Sequence, residues 1–249
     1  MHPILFKFGF FTLYSYGLFV AIGFLVASFL ALRDFEKVGY SKDVVVDCIF
    51  MVLLGGIIGG RLLFVMLNLA YYIEHPIKII MINEGGLAFQ GGLVCAVFFG
   101  IWITKKKNIS FLKSADIISP YIALGHCFGR IGCFFNGCCY GKVICSGLGV
   151  VFPGENVMRV PSQLFESFFL LILFVLLLSF RNKKSFDGQI FVLYFIFYSF
   201  FRFFLDFLRD DVINVFIGLK LSQFIGIVIF CIGIIFFIIL KNRYGKTKF

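Results

Sequence analysis

Eight ionisable residues stand in or beside long apolar stretches, where charge is costly: Arg61, Glu84, His126, Arg130, Glu166, Arg202, Asp206 and Arg209. Such a residue is a functional hypothesis by default. His126 and Arg130 are four apart, so a helix presents them on one face. Four glycines follow within 129–141, at Gly129, Gly132, Gly137 and Gly141. They predict that the helix breaks into a compact loop able to bring backbone N–H groups to an anion. The structural alternative is a tight turn under a snorkelling arginine. Arg202, Asp206 and Arg209 follow at spacings of four and three, one stripe of a helix. An Arg202–Asp206 ion pair would lower the burial cost of both, and a guanidinium also grips phosphate in bidentate fashion. Arg209, near the helix end, reads equally well as interfacial. Ser162, Gln163 and Glu166 open an apolar run behind Pro161, and either cap a helix or line a polar cavity. Gly85-Gly86 and Gly91-Gly92 bracket Gln90, as close helix packing or as a polar contact site. The Tyr16 phenol either reaches a lipid carbonyl or sits in an aromatic belt.

These residues need a scaffold that tolerates very little water. The chain has 249 residues, 61% hydrophobic, 20% aromatic and 14% charged, with a net charge of +10. Its mean hydropathy is +1.01. Ordinary soluble domains run about 45–50% apolar and about 25% charged, so a soluble domain, a disordered tail and a nucleic-acid binder are excluded. The positive charge belongs in loops beside anionic lipid. Only helices and closed barrels span a bilayer. Barrel strands alternate apolar and polar residues, whereas 168–180 is almost unbroken Phe, Leu, Ile and Val. The expectation is an all-α integral membrane protein, one polytopic domain over 1–249.

Seven apolar segments approach the roughly 20 residues a span needs: 10–32, 45–70, 87–104, 115–128, 161–180, 188–207 and 221–240. The fourth is short, and Pro161 suits a first helical turn. Lys and Arg cluster after the first, third, fifth and seventh, at 33–42, 105–113, 181–184 and 241–248. Alternate loops share one side, and the basic side is cytoplasmic. The amino terminus then faces outward and the carboxyl terminus the cytoplasm. A cleavable leader is not expected, since no small-residue cleavage site follows the first span.

Five of the eight cysteines, Cys127, Cys133, Cys138, Cys139 and Cys145, fall near the outer face. Their spacing does not match paired C-x2-C zinc ligands, so no metal is expected. Disulfides are open to them on that side. Cys48, Cys95 and Cys231 read as small packing residues.

Taken in order, Tyr16-Gly17, Gly60-Arg61, Glu84-Gly85-Gly86 through Gly91-Gly92, Gly129-Arg130-Ile131-Gly132 through Asn136 and Gly141, Pro161 to Glu166, and Arg202-Phe203 through Asp206 and Arg209 resemble the prolipoprotein diacylglyceryl transferase family. The resemblance covers roughly residues 2–211. It implies a seven-helix inner-membrane enzyme without a cofactor. Such an enzyme moves the diacylglyceryl group of phosphatidylglycerol to the lipobox cysteine of a preprolipoprotein signal peptide, forming a thioether and releasing glycerol phosphate. The family's two essential arginines fall on Arg130 and Arg202. Arg130, Tyr16, Gln90, Gly91, Asn136, Gly141, Glu166, Asp206 and Arg209 form the expected substrate-binding set.

Two departures from the family pattern bear on mechanism. A histidine that many members carry before the Gly-Gly pair is here Gln90, and an amide accepts no proton at neutral pH. Asn and Glu of the familiar signature are replaced by Cys133 and Cys138. His126, one turn before Arg130, is then the candidate base, with water as the simpler acceptor. Three rival readings are a membrane thiol–disulfide oxidoreductase using the 127–145 cysteines, a transporter of an anionic solute, and a family relative of altered specificity. The first lacks a C-x-x-C pair and the second lacks repeats.

Overall fold

A computed structural model describes residues 3–8, 11–82, 85–210, 214–216 and 219–244. Glu84 lies outside the described residues. The chain divides into two compact units, Met1–Ala31 with Ala115–Phe249, and Leu32–Ser114.

Eight helices and three two-stranded hairpins make up the described chain, apart from one 3-10 turn at Pro76–Ile79. A hairpin of β1 (Ile4–Phe8) and β2 (Phe11–Tyr14) precedes α1 (Ser15–Lys37). The first helix therefore starts five residues later than the apolar pattern predicts, because period-two pairing occupies the residues before Ser15. Then come α2 (Lys42–Leu67), the short α3 (Leu69–Glu74), α4 (Phe89–Lys106) and α5 (Phe111–Asn136). The hairpin β3 (Val150–Val151) and β4 (Met158–Arg159) leads to α6 (Ser162–Arg181) and α7 (Gln189–Leu205). Strands β5 (Asn214–Phe216) and β6 (Leu219–Lys220) precede α8 (Leu221–Tyr244).

Each of the seven apolar segments contains a helix, and five helices, α1, α2, α5, α6 and α8, are long and apolar enough to cross a membrane. Pro161 is the N-cap of α6 rather than its first turn. The fourth segment is not short. Helix α5 runs 26 residues and carries straight through Gly129 and Gly132. The predicted break at these glycines is thus corrected, and so is the idea that their N–H groups face an anion. Gly132 instead lets α1 approach: a Cβ there would lie 3.1 Å from the Phe19 Cβ and 3.3 Å from the Tyr16 Cα. The turn comes at Gly137, with φ +74°.

In the larger unit, Ala123 and Cys127 of α5, Leu170, Leu173 and Leu177 of α6, and Ile190 and Tyr194 of α7 form one buried cluster. Lipid tails are as apolar as leucine, so close packing and polar contacts hold such helices together. One polar contact fixes α7. Buried Asp116 of α5 accepts hydrogen bonds from the backbone N–H groups of Gly188 (2.8 Å), Ile190 (2.9 Å) and Phe191 (3.1 Å). It supplies the acceptor that the start of a helix lacks and places a negative charge at the positive dipole end. Lys184 neutralises it at 3.0 Å. The α7 axis, and with it Arg202, is anchored to α5 this way.

In the smaller unit, α2 and α4 meet at glycines. A Cβ on Gly91 would lie 2.3 Å from the Gly59 carbonyl oxygen, and one on Gly59 would lie 2.4 Å from the Gly91 carbonyl oxygen. Small residues on both helices allow this backbone approach. Arg61 is buried and donates to the carbonyls of Ile79 (2.8 Å), Gly85 (2.6 Å) and Gly86 (2.9 Å), and to those of Lys78 and Met81. Its charge is absorbed by the loop it holds. Gly86 has φ +81°, and a Cβ there would meet the Arg61 Nη1 at 2.7 Å.

Candidate active site

Glu166, on the second turn of α6, is almost fully buried, with 1% exposure. A lone carboxylate there would be prohibitively costly. Its partners come from three elements. The Arg202 Nη1 of α7 donates to Oε2 at 2.7 Å. The Arg130 Nε of α5 lies 3.1 Å from Oε2, an ion pair rather than an aligned hydrogen bond. The Arg209 Nη1, past the end of α7, stands 3.9 Å away. On Oε1, the Tyr198 hydroxyl donates at 3.0 Å, and His126 Nε2 lies 3.8 Å away. The His126 ring also packs against Tyr198 at 5.3 Å between centroids.

His126 and Arg130 reach the same carboxylate because they share one face of α5, as their spacing predicts. The predicted Arg202–Asp206–Arg209 helical stripe needs correction. Helix α7 ends at Leu205 and Asp206 is its C-cap. Asp206 still pairs with Arg202, Oδ1 to Nη2 at 3.1 Å, and is wholly buried. Arg209 is no longer helical. It sits in a bridge with Gly141 and is also buried, which removes the interfacial alternative. Lys220 donates to the Asp206 carbonyl at 2.6 Å and also to that of Arg209.

Three guanidiniums thus converge on one buried carboxylate. They set fixed positive groups in the protein interior, where charges act strongly on an anion.

The other expected site residues divide between the two units. Tyr16, 46% exposed on α1, backs onto Gly132, about half a helical turn from Arg130. Asn136 is the last residue of α5, two positions before Cys138. Gly141 takes part in chain pairing: its N–H donates to Val160 at 2.8 Å, and a Cβ would lie 2.5 Å from the Leu208 carbonyl oxygen. Gln90 and Gly91 belong to the smaller unit. Gln90 is exposed in the first turn of α4, and Gly91 forms the α2–α4 contact.

Plain capping does not explain the polar entry of α6, which has no side-chain cap hydrogen bond. Instead Ser162 Oγ donates to the Cys139 carbonyl at 2.9 Å and Gln163 Nε2 to the Cys138 carbonyl at 2.6 Å. They pin the loop that follows α5. Sulfur atoms of Cys133, Cys138 and Cys139 lie within 4.8 Å of one another. Hydrogen bonds from Cys133 and then Cys139 hold the Cys138 thiol well below the usual range. Cys127 is separate, buried with its sulfur 3.1 Å from the Ser167 hydroxyl, and Cys145 is exposed. These five cysteines thus do not form one cluster.

Sequence reasoning missed Tyr198, Gln163's partner, Asp116 and Lys220. Tyr198 was within reach of it, being one helical turn before Arg202 on the same face. The others depend on which helices adjoin.

Known proteins resemble this chain along nearly its whole length. The family model described as prolipoprotein diacylglyceryl transferase matches residues 3–239. A Geobacter sulfurreducens protein named phosphatidylglycerol–prolipoprotein diacylglyceryl transferase is 34% identical, over 97% of this chain and 96% of its own length. Proteins of the same name from Clostridium tetani (34% identical, 99% of this chain and 100% of the relative) and Bacillus cereus strain G9842 (35%, 95% and 91%) are equally similar. The comparisons give the oxidoreductase alternative no support. With the matching residues running through α1 to α8, the chain belongs to the prolipoprotein diacylglyceryl transferase family.

Proposed function

We propose that this chain catalyses the transfer for which its relatives are named, from phosphatidylglycerol to a prolipoprotein. The lipobox cysteine sulfur attacks the glycerol carbon that carries phosphate. The carbon–oxygen bond breaks, a carbon–sulfur bond forms, and glycerol phosphate leaves with the electron pair. The observation carrying this reading is the convergence of Arg130, Arg202 and Arg209 on one buried carboxylate, Glu166. A phosphodiester carries one negative charge and the departing phosphomonoester gains more, so fixed guanidiniums favour the transition state over the bound substrate.

Arg130 and Arg202 are the phosphate clamp. Glu166 and Asp206 are positioning residues that keep the guanidiniums aimed and lower their burial cost. His126 accepts the thiol proton, directly or through one water; the sulfur must be a thiolate to attack. Tyr16, Asn136 and Gly141 frame the headgroup. The acyl chains lie among the Phe-rich helices, entering sideways from the bilayer. In this reading α4 and α7 cross the inner membrane with the other five helices, the amino terminus outside and the carboxyl terminus in the cytoplasm.

The test uses purified protein with phosphatidylglycerol labelled in its diacylglycerol part. A lipobox peptide with one Cys is set beside the same peptide with Ser. Label is expected on the Cys peptide alone, and lost with Arg130→Ala or Arg202→Ala in protein that stays folded in the membrane. Normal transfer by either variant overturns the clamp. His126→Ala with normal turnover overturns the base. A folded protein that binds the lipid but labels no peptide is the altered-specificity relative.

A further inference from the structure

The three sulfurs beside the clamp are an arrangement that nothing in the transfer reaction requires. We infer that Cys133, Cys138 and Cys139 form a binding site for one soft divalent cation of the zinc class. The geometry carries this. All three sulfurs lie within 4.8 Å of one another, and those of Cys138 and Cys139 are 3.5 Å apart. A zinc-class ion bonds each thiolate at about 2.3 Å, which sets tetrahedral ligands roughly 3.8 Å apart. Only small shifts of the three sulfurs bring the trio to that spacing.

The loop is also built to hold the sulfurs there. Cys139 has φ +64°, in the left-handed region that a side chain rarely adopts. Such a conformation persists only when its surroundings over-determine it. Those surroundings are Ser162 and Gln163, both about 1% exposed, which grip the carbonyls of Cys139 and Cys138. The Cys138 N–H donates to the Cys133 carbonyl at 3.2 Å, tying the loop to the last turn of α5. Fixed ligands held by buried polar partners distinguish a metal site from a chance meeting of thiols. The spacing Cys-x4-Cys-Cys fits no common zinc pattern, so the site is visible only once the chain turns at Gly137.

Binding sets three thiolates on one M²⁺, a net charge of −1 for the occupied site, and the S–H protons that the trio still holds pass to solvent. Arg130 is one helical turn from Cys133 and interacts electrostatically with Cys133 and Cys139. Occupation therefore offers Arg130 a competing negative charge and weakens its hold on a phosphate headgroup. That coupling rests on the clamp reading; the metal site itself does not.

The experiment titrates reduced full-length protein, in bilayer discs of zwitterionic lipid, with Cd²⁺. Thiolate-to-cadmium charge-transfer absorption is the readout. A saturable band at one equivalent is expected. It should be lost with Cys133→Ser, Cys138→Ser or Cys139→Ser and kept with Cys145→Ser or Cys231→Ser. Because a variant can misfold, Zn²⁺ protection is mapped in the unmodified protein by thiol alkylation and mass spectrometry. Protection confined to these three cysteines supports the site. No saturable band, protection spread over other cysteines, or a disulfide inside the trio that resists reduction overturns it. If Cd²⁺ binds at the trio but the KM for phosphatidylglycerol does not rise, the coupling to Arg130 fails and the metal site stands.

Discussion

Glu166→Gln tests whether one buried carboxylate organises the arginines. The substitution keeps size and shape and removes one negative charge. In the protein, Oε2 holds Arg202 at 2.7 Å and Arg130 at 3.1 Å, while Oε1 accepts from Tyr198 at 3.0 Å. Hydrogen bonds to charged groups are worth about 1.5–3 kcal/mol and neutral ones about 0.5–1.5. The Arg202 hydrogen bond falls by about 1–1.5 kcal/mol and the Arg130 ion pair is lost as well, so the variant loses roughly 2–3 kcal/mol. Glu166→Ala, which leaves the guanidiniums unpaired, loses about 3–5 kcal/mol. At about 2–4 °C per kcal/mol for a chain of this size, the Gln variant melts roughly 4–12 °C lower. Turnover falls about 10²–10³-fold, the usual effect of losing an aimed charge donor. The sharper reading comes from thermal melts in discs with and without phosphatidylglycerol. The phosphate supplies the negative charge that Gln lacks, so the lipid should raise the variant's melting temperature more than the wild type's. An unchanged melting temperature and turnover, or equal lipid stabilisation of both proteins, would refute the account of Glu166 as the hub of the cluster.

Gly91→Ala forces a Cβ to within 2.3 Å of the Gly59 carbonyl oxygen and should cost about 1–3 kcal/mol by overpacking. Gly56→Ala, with nothing within 4 Å of its Cβ, should be neutral or stabilise by about 0.5–1 kcal/mol; equal melting temperatures for the two variants would contradict the glycine contact. Arg61→Ala removes the donor shared by the carbonyls of Lys78, Ile79, Met81, Gly85 and Gly86 and should cost about 1–3 kcal/mol. Its mark is lost hydrogen-exchange protection in that loop, with the α2–α4 contact intact. The loop after α5 should loosen in acid. The Tyr140 hydroxyl (2.8 Å) and then Arg159 (3.1 Å) hold the Glu155 carboxyl below its ordinary value. That stabilisation is full above the unfolded carboxylate pKa, about 4.3, and disappears as pH falls through the lower folded value. Limited proteolysis of 140–160 against pH should show this onset, and Tyr140→Phe should move it upward; an onset that does not move counts against the hydrogen bond.

The amino-acid sequence by itself determined the solvent, the helices and the family. An apolar content of 61% admits only a membrane as surroundings, and period-3.6 faces alone align His126 with Arg130. The order of the motifs named the family. Local pattern failed where close approach between distant segments decided the outcome. Gly129 and Gly132 read as a break because local propensity disfavours glycine in helices, yet α5 continues and Gly132 receives α1. Arg61 looked like a candidate for chemistry and is instead the clasp of the 78–86 loop. Arg209 looked interfacial and is buried 3.9 Å from Glu166. Above all, no periodicity reveals that one carboxylate on α6 meets arginines from α5, α7 and the segment beyond α7. Pairing charges across helices depends on helix–helix packing, and that is set by the Asp116 cap at the start of α7 and the packed α5–α6–α7 core. Sequence dictates which groups must find partners inside a membrane; tertiary structure decides which partners they find.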